Sequence, residues 1–340
     1  MLAKRQIVQF LAPGSVGLEE RPLAHPGPGE LLVETLVSGI SAGTELLIYR
    51  GQFPEDLDVD LTIDALSGGF HYPLSYGYSV AGRVEEIGPE IDPAWVGRMV
   101  FAFHPHESAF LARAHELLAI PEDIQPEDAV FFSNMETAVN LVMDGRPLLG
   151  EEVVIFGQGV VGLLTAALLA WFPLRRLVTL DRYPLRREWS VQLGAHASLD
   201  PASAHCSEAL KAQLAGGADL VFELSGAPET LDSAILAAGF AGRIVVGSWY
   251  GNKRAPLNLG GYFHRSRLHL VSSQVSTLAP ELSGRWTKNR RYEVAWEMIR
   301  RLHPSRLVTQ RFPVHLVADA YRLLDEKPQD AIQVVLVYDG

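Results

Sequence analysis

The sequence predicts an α/β protein with two parts, a compact β-rich unit and a parallel, doubly wound sheet covered by helices on both faces. Short apolar strand patterns alternate with helical patterns through the middle of the chain. A glycine-rich turn lies between one of these strands and the helix that follows it. The chain has 340 residues, which is enough for two domains of ordinary size.

The β-rich unit is predicted over residues 1–125. Runs such as QIVQFL and RMVFAF are separated by the turn signals HPGPGE and IGPEIDP, a pattern typical of short strands with few helices. From about residue 285 the chain shows two helical patterns, YEVAWEMIRRL and VADAYRLLDE, and a closing strand, AIQVVLVYDG. We expect that strand to add to the N-terminal unit, so that residues 285–340 complete the first domain.

The second domain is predicted over residues 126–284. Its strand patterns are EEVVIFG, RLVTLD, ASLD, ADLVFELSG, GRIVVGS and LHLVSSQ. Its helical patterns are EDAVFFSNMETAVNLVMDG, GVVGLLTAALLAWF, PLRREWSVQLG, SEALKAQLAGG and PETLDSAILAAG. Strands that are apolar throughout and alternate with helices indicate a parallel sheet that is buried on both faces.

Composition excludes several classes of protein. A net charge of −11 leaves no basic surface for nucleic acid or an anionic membrane. The single cysteine, Cys206, rules out an internal disulfide and a zinc lobe with several cysteines. The longest apolar run, residues 160–172, is shorter than the ~18 residues that a membrane span needs, and the N-terminus lacks the apolar core of a signal peptide. We therefore expect a cytoplasmic protein with a small-molecule substrate.

The glycine-rich turn is the Gly-x-Gly-x-x-Gly pattern in VVIFGQGVVG. Its first glycine would make the tight turn, its second would let the backbone approach a pyrophosphate, and its third would pack the helix on the strand. The helix N-terminus would then face the anion. We expect these residues to bind a dinucleotide: Gly157, Gln158, Gly159, Val160, Val161 and Gly162. The alternative is a glycine triplet that packs a helix and binds no ligand.

The expected dinucleotide is NAD. Asp181 ends the next strand pattern, nineteen residues after Gly162. A carboxylate there can accept hydrogen bonds from both ribose hydroxyls of NAD and would repel the 2′-phosphate of NADP. Arg182 could instead bind that phosphate, so NADP stays a less favoured alternative.

Several segments match a known layout as they stand. SGISAGTELLIYRG is similar to the loop usually read SGICGTDLHIYRG, and YPLSYGYSVAGRVEEIG to P-x-x-x-GHE-x-x-G-x-V-x-x-VG. ESAFLARAHELLAIPED, METAV, the glycine-rich turn, ADLVFELSG and GRIVVGS follow in the expected order. Over essentially its whole length the chain therefore resembles the medium-chain dehydrogenase/reductase superfamily. GISAGTE and YPLSYGY resemble one branch in particular, the bacteriochlorophyllide a dehydrogenase-like proteins, which oxidise a hydroxyethyl group with NAD.

This resemblance implies a GroES-like β-rich catalytic domain, a Rossmann domain, and NAD-dependent hydride transfer between a secondary alcohol and its ketone. It also implies where a catalytic zinc would be held. The cysteine position falls on Ser41 or Ala42, the histidine position on Tyr78, and the third ligand position on Ser133. None of these side chains is a useful zinc ligand, so we expect a zinc-free enzyme.

Without zinc, another group must stabilise the oxygen that gains charge during hydride transfer. We expect Tyr78 to donate that hydrogen bond. Thr44 matches the superfamily's proton-relay hydroxyl, and Glu45 or His106 would be the terminal acid or base. The alternative is that Tyr78 only fills the space of the missing metal.

The resemblance implies further cofactor contacts and a partner. Thr137 matches a residue at the nicotinamide face, and the turns Ser225-Gly226 and Gly247-Ser248-Trp249 match turns that line the cofactor at strand ends. Family members commonly pair through the edge of the dinucleotide sheet, which implies a homodimer.

Three alternatives stay open at the level of sequence. A relocated metal could be held by His104, His106 and Glu107 in the segment FHPHES. The same fold could serve a zinc-free quinone or enoyl reductase that uses NADPH. It could also serve a dinucleotide-binding protein without catalytic activity.

Overall fold

The computed structural model describes residues 4–338 except residues 55, 57, 59–62 and 67. The strands are β1 (Lys4–Ala12), β2 (Ser15–Pro22), β3 (Glu30–Ile40), β4 (Leu74–Ser75), β5 (Val80–Ile87), β6 (Met99–Ala102), β7 (Ala109–Arg113), β8 (Leu117–Ala119), β9 (Glu152–Phe156), β10 (Arg176–Leu180), β11 (Ala197–Leu199), β12 (Ala218–Glu223), β13 (Ala238–Val246), β14 (His269–Ser272), β15 (Val308–Pro313) and β16 (Gln333–Val337). The α-helices are α1 (Ala42–Tyr49), α2 (Pro126–Ala129), α3 (Phe132–Gly145), α4 (Val160–Leu169), α5 (Pro184–Gln192), α6 (Cys206–Gln213), α7 (Thr230–Ala237), α8 (Lys288–Leu302) and α9 (Val317–Glu326).

The chain divides into two compact units. The first comprises Met1–Ser133 and Ile299–Gly340, and the second comprises Asn134–Met298. The predicted domain boundaries near residues 125 and 285 stay a prediction. None of the helices in the described part of the chain is long and apolar enough to cross a membrane.

The first unit is built on a sheet with the strand order β15-β16-β3-β5-β6-β8, in which β7 also pairs with β3. Strand β3 buries every second side chain from Leu31 to Val37 and every residue from there to Ile40, as expected when a strand passes from a sheet face into the core. The closing strand β16 runs antiparallel to the buried end of β3, with Leu336 opposite Ser38. The C-terminal strand therefore lies in the sheet of the N-terminal residues.

Helix α1 lies where the resemblance predicts a zinc-ligand loop. Its residues Leu46, Leu47 and Ile48 are buried, which stabilises a helical turn against the core. The Glu45 carboxylate accepts the backbone N–H of Ser41 at 2.7 Å, close to the reciprocal capping seen at helix starts. The loop interpretation of this segment is therefore corrected to a short loop followed by a helix.

The second unit contains a parallel sheet with the strand order β11-β10-β9-β12-β13-β14. Helices α4, α5, α6 and α7 lie between successive strands along the chain. The order reverses between β9 and β12, which is the arrangement of a Rossmann sheet. The predicted fold class, a β-rich unit plus a doubly wound parallel sheet, is confirmed.

The segment EDAVFFSNMETAVNLVMDG forms two helices, α2 and α3, instead of the single predicted helix. At the break, the carbonyl oxygen of Val130 accepts a hydrogen bond from the Ser79 hydroxyl at 2.6 Å. A carbonyl oxygen that accepts a hydrogen bond from a side chain does not need the backbone N–H four residues later, so the helix can end there. The sequence pattern of this segment could not reveal a partner that lies fifty-one residues away.

Candidate active site

The glycine-rich turn lies in the second unit, between β9 and α4. Gly157 has φ +90°, a conformation that favours glycine, and a Cβ there would lie 2.5 Å from the carbonyl carbon of Leu224. A Cβ on Gly162 would lie 2.0 Å from the carbonyl oxygen of Gly157, so the helix packs directly on the turn. A Cβ on Gly159 would meet no atom within 4 Å, so the backbone there faces open space.

Helix α4 begins with Gly159 as its N-cap, and no side chain caps it. The first N–H groups of a helix have no acceptor within the helix. They carry partial positive charge, which makes an uncapped N-terminus a site for a phosphate. The three glycines and this helix start therefore fit the pyrophosphate of a dinucleotide, held by the backbone of Gly159, Val160 and Val161.

Asp181 follows β10 and is buried. One of its carboxylate oxygens accepts the backbone N–H of Gln158 at 2.7 Å, and the other accepts that of Tyr183 at 2.8 Å. Each oxygen keeps capacity for a second hydrogen bond, which suits the two hydroxyls of a ribose. The Gln158 contact also ties Asp181 to the glycine-rich turn, which the sequence analysis did not anticipate.

Three arginines follow Asp181 within six residues, and burial lowers the pKa of one of them, Arg186, against the opposing effect of the Asp181 charge. Arg182 is exposed. Arg187 donates to the carbonyl oxygen of Asp181 at 2.8 Å and pairs with Asp200 at 3.3 Å. Arg182 is thus the exposed cation nearest in sequence to Asp181, where the 2′-phosphate of NADP would have to be held.

The two predicted cofactor-lining turns follow β12 and β13 and are linked to each other. The backbone N–H of Gly226 donates to the Ser248 hydroxyl oxygen at 2.9 Å, and that hydroxyl donates to the carbonyl oxygen of Glu223 at 3.3 Å. The backbone N–H of Gly247 donates to the same carbonyl at 3.1 Å. Trp249, the last residue of the second turn, is partly exposed. Thr137, the residue expected at the nicotinamide face, is half-buried on α3.

A cluster of three hydroxyls lies in the first unit. The hydroxyl of Tyr78 contacts that of Ser41 and lies 3.2 Å from that of Thr44. Ser41 is the N-cap of α1 and Thr44 lies in its first turn, so the start of this helix positions both. The Tyr78 ring is half-buried and packs edge-on against Tyr76. The structure therefore brings together Tyr78 and Thr44, as predicted, and adds Ser41.

Behind this cluster, Glu45 and His106 are fully buried and bonded to each other. The His106 Nε2 lies 3.0 Å from the Glu45 Oε2, and the Tyr321 hydroxyl donates to the same oxygen. On its other side, the His106 Nδ1 lies 2.7 Å from the Ser38 hydroxyl, which lies 2.9 Å from the Tyr338 hydroxyl.

One set of protons satisfies every group in this buried chain. In this set His106 donates from Nε2 to Glu45 and accepts at Nδ1 from Ser38, which accepts from Tyr338. Burial and the nearby charge of Glu45 raise the pKa of Tyr321 well above its ordinary value, so Tyr321 keeps its proton and donates it. We assign the tautomer from this network.

The buried chain reaches the hydroxyl cluster through one backbone group, the N–H of Ser41, which donates to Glu45. Glu45 and His106 have no exposed surface. In this conformation they act on Tyr78 by holding the start of α1, and neither is open to a substrate. Tyr321, Tyr338 and Ser38 were missed by the sequence analysis because no local pattern marks them.

The proposed relocated metal site is not formed. The ring of His104 stacks on that of Phe110 with centroids 3.8 Å apart, and burial lowers its pKa to about 4. Glu107 pairs with Arg5 at 2.9 Å, and burial raises its pKa to about 7, while His106 binds Glu45. Within the described residues, no group of three or more His, Cys, Asp or Glu side chains is placed to hold a metal ion.

Ser133, at the third position implied for zinc, has a different partner from Tyr78. Its hydroxyl lies 2.7 Å from that of Ser79. The side chains at the other two positions, Ser41 and Tyr78, contact each other.

Comparisons with known proteins find dehydrogenases. The family model of zinc-binding dehydrogenases matches residues 160–289. The chain is 26% identical over 285 residues to L-threonine 3-dehydrogenase of Pyrococcus horikoshii, covering 74% of this chain and 78% of the relative. It is 24% identical over 349 residues to 2-desacetyl-2-hydroxyethyl bacteriochlorophyllide A dehydrogenase of Cereibacter sphaeroides, covering 95% of each.

A solved structure shows the same fold. The alcohol dehydrogenase RspB from Escherichia coli, complexed with NADH, superposes with a TM-score of 0.79 at 20% identity, over 98% of this chain and 99% of that one. Fold and matches together define an NAD(P)-dependent, alcohol dehydrogenase-like oxidoreductase. The chain is therefore similar to zinc-binding dehydrogenases over residues 160–289 and to further dehydrogenases over most of its length.

Proposed function

We propose that this enzyme transfers a hydride between NAD and a secondary alcohol or its ketone without a catalytic zinc. The observation that carries the proposal is the hydroxyl cluster, in which Tyr78 contacts Ser41 where relatives would hold a metal. The family match covers residues 160–289 and so leaves these positions outside it. Their side chains are the argument against zinc.

The second unit would bind the dinucleotide, which when bound supplies the hydride acceptor. The backbone at the start of α4 would hold the pyrophosphate, and Asp181 would accept the ribose hydroxyls. An acid at this position favours NAD over NADP. The exposed Arg182 is the one observation that favours the second candidate, an NADPH-dependent quinone or enoyl reductase.

In the first unit, Tyr78 would act on the substrate oxygen. During reduction its hydroxyl would donate its proton to the oxygen that gains charge. During oxidation it would accept the alcohol proton while passing its own hydroxyl proton to Ser41 or Thr44, from which a proton would leave to solvent. Thr44 and Ser41 are within hydrogen-bond reach of Tyr78, so either hydroxyl could replace the transferred proton. The buried Glu45–His106 pair would keep this arrangement fixed.

The names of two relatives support a secondary alcohol as the substrate class, because they specify dehydrogenation of threonine at position 3 and of a hydroxyethyl group. We propose a bulky secondary alcohol, because a site without a metal and its bound water has room for a larger group. The single cysteine, Cys206, is compatible with a reducing compartment, and we propose that the enzyme is cytoplasmic.

A turnover assay tests this proposal. Purified protein is mixed with NAD and a panel of bulky secondary alcohols, and NADH formation is followed with and without a chelator. We expect turnover that the chelator does not change. Quinone reduction with NADPH alone would favour the second candidate. NADH binding without turnover on any substrate class would favour a non-catalytic dinucleotide-binding protein.

We also propose that two copies pair through β14, the edge strand of the parallel sheet. Three of its four residues are exposed, including Leu270 at 43%, and an exposed edge can pair with another strand. Light scattering should give a dimer mass for the wild type and a monomer mass for Leu270→Lys. A monomeric wild type would overturn this proposal.

A further inference from the structure

Glu223 ends β12 with a carboxylate that has no exposed surface. One oxygen accepts the backbone N–H of Ser225 at 2.9 Å and the hydroxyl of the same residue. The other oxygen accepts the hydroxyl of Tyr250. These three donors are neutral, and a buried carboxylate depends on every donor it has because burial costs it the hydration of its charge.

Tyr250 lies just beyond the turn Gly247-Ser248-Trp249, on the far side of the turn from β13. Burial and the charge of Glu223 raise the pKa of its hydroxyl well above the ordinary value, so it stays a donor at neutral pH. Its bond therefore reaches back from the chain after β13 to the end of β12. It adds to the contacts that already link the two turns, which are those of Gly226 with Ser248 and with the Lys253 amine and those of Gly247 and Ser248 with the Glu223 carbonyl oxygen.

The strand order says which half of a dinucleotide these turns would face. Asp181 follows β10, on one side of the central strand β9, whereas β12 and β13 lie on the other side. A dinucleotide lies across the point where the strand order reverses. With the adenosine ribose at Asp181, the nicotinamide half lies over the ends of β12 and β13.

We infer that Tyr250 and Glu223 are positioning residues for the nicotinamide half of the cofactor. The inference rests on the proposed NAD binding and deepens it. Tyr250 holds the Glu223 carboxylate, the carboxylate holds Ser225, and the two linked turns keep the shape that receives the nicotinamide and its ribose. Binding of the adenosine half, at Asp181 and the start of α4, does not depend on the hydrogen bond between Tyr250 and Glu223.

Two ligands separate a positioning role from a general loss of structure. NADH contacts both halves of the site, whereas ADP contacts only the adenosine half. Tyr250→Phe deletes the hydroxyl and keeps the ring. We expect about a tenfold weaker Kd for NADH, because the turns that would receive the nicotinamide half lose one of the hydrogen bonds that hold them. The Kd for ADP should stay unchanged in the same calorimetric titrations.

Tyr262→Phe is the matched control. The hydroxyl of Tyr262 donates to the carbonyl oxygen of Ala238 at 2.9 Å, at the opposite end of β13 from the two turns. Its loss should leave both ligands unaffected. Glu223→Gln is a second variant, needed if Tyr250→Phe does not fold. It removes the buried charge, and it should weaken NADH binding selectively as well. Because both changes break the same contact, the double variant should lose little more than either single one.

The possible results are distinct. Unchanged NADH affinity in Tyr250→Phe, or equal weakening of NADH and ADP, would overturn the positioning role. In the second case Tyr250 would only stabilise the fold, and the melting temperature would fall in parallel. A folded wild type that binds neither ligand would overturn the proposed function, and the inference with it.

Discussion

The dinucleotide site of the second unit is made mainly by backbone, whereas the hydroxyl cluster of the first unit is made by side chains. At the glycine-rich turn, a single added Cβ on Gly162 would lie 2.0 Å from a carbonyl oxygen, so the site leaves little freedom for substitution. In the first unit, Ser41 and Tyr78 occupy positions implied for metal ligands and contact each other instead. The two candidate sites therefore differ in kind, because one depends on glycine backbone and the other on hydroxyl side chains.

The largest effect should come from the side-chain site. Tyr78→Phe removes only a hydroxyl, and loss of one positioned donor to a developing oxyanion costs on the order of a hundredfold in kcat. Steady-state kinetics should show that fall with the Kd for NADH unchanged, because Tyr78 belongs to the first unit. Ser133→Ala is the control, since it removes the hydroxyl that contacts Ser79, and it should alter kcat little.

A different pattern would reassign the roles in this cluster. If Tyr78→Phe keeps its kcat, Tyr78 only fills space, and the hydrogen bond to the substrate oxygen must come from Thr44 or from a rearranged His106.

A smaller effect should come from Asp181, the side chain that we expect to set the preference for NAD over NADP. Asp181→Ala removes the charge that repels a 2′-phosphate and leaves Arg182 beside the ribose. The ratio of NADP to NAD affinity should rise about tenfold, a change of about 1.4 kcal/mol. Asp200→Ala, which removes the partner of Arg187, should leave the ratio unchanged. A wild type that prefers NADP tenfold would show that the Asp181 prediction is wrong.

The smallest effect is the pH dependence of folding stability that His104 of the first unit contributes. Burial lowers the pKa of His104 to about 4, so between that value and its ordinary pKa the unfolded chain binds more protons than the folded one. This contribution to stability is complete above about pH 6.5 and is lost as the pH falls toward about 4, with about 2 kcal/mol gone by about pH 5.

Denaturation of His104→Gln at several pH values checks this sign. The variant should lose less stability than the wild type between about pH 7 and about pH 5, and exposed His115→Gln should behave like the wild type. A metal-bound imidazole would also resist protonation, so the series is repeated with a chelator. A chelator-dependent curve would point back to a metal at His104.

The sequence was sufficient for features that are local along the chain. Strand and helix patterns predicted the parallel sheet, which is confirmed. The glycine pattern, with Asp181 nineteen residues after Gly162, predicted a dinucleotide site, and that assignment stays a prediction. It could not predict contacts between distant residues, such as Tyr321 with Glu45 or Tyr338 with Ser38, which are 276 and 300 residues apart. It also left Ser41 and Ala42 as equal choices, because only the start of α1 determines which of them contacts Tyr78.

Measurement of zinc in the purified protein, alongside activity, tests the central claim most directly. Elemental analysis of protein prepared without chelator should find far less than one zinc per chain, and activity should survive exhaustive treatment with a chelator, because the side chains of Ser41, Tyr78 and Ser133 offer no ligand set. About one zinc per chain, lost together with activity and restored by added zinc, would contradict the account.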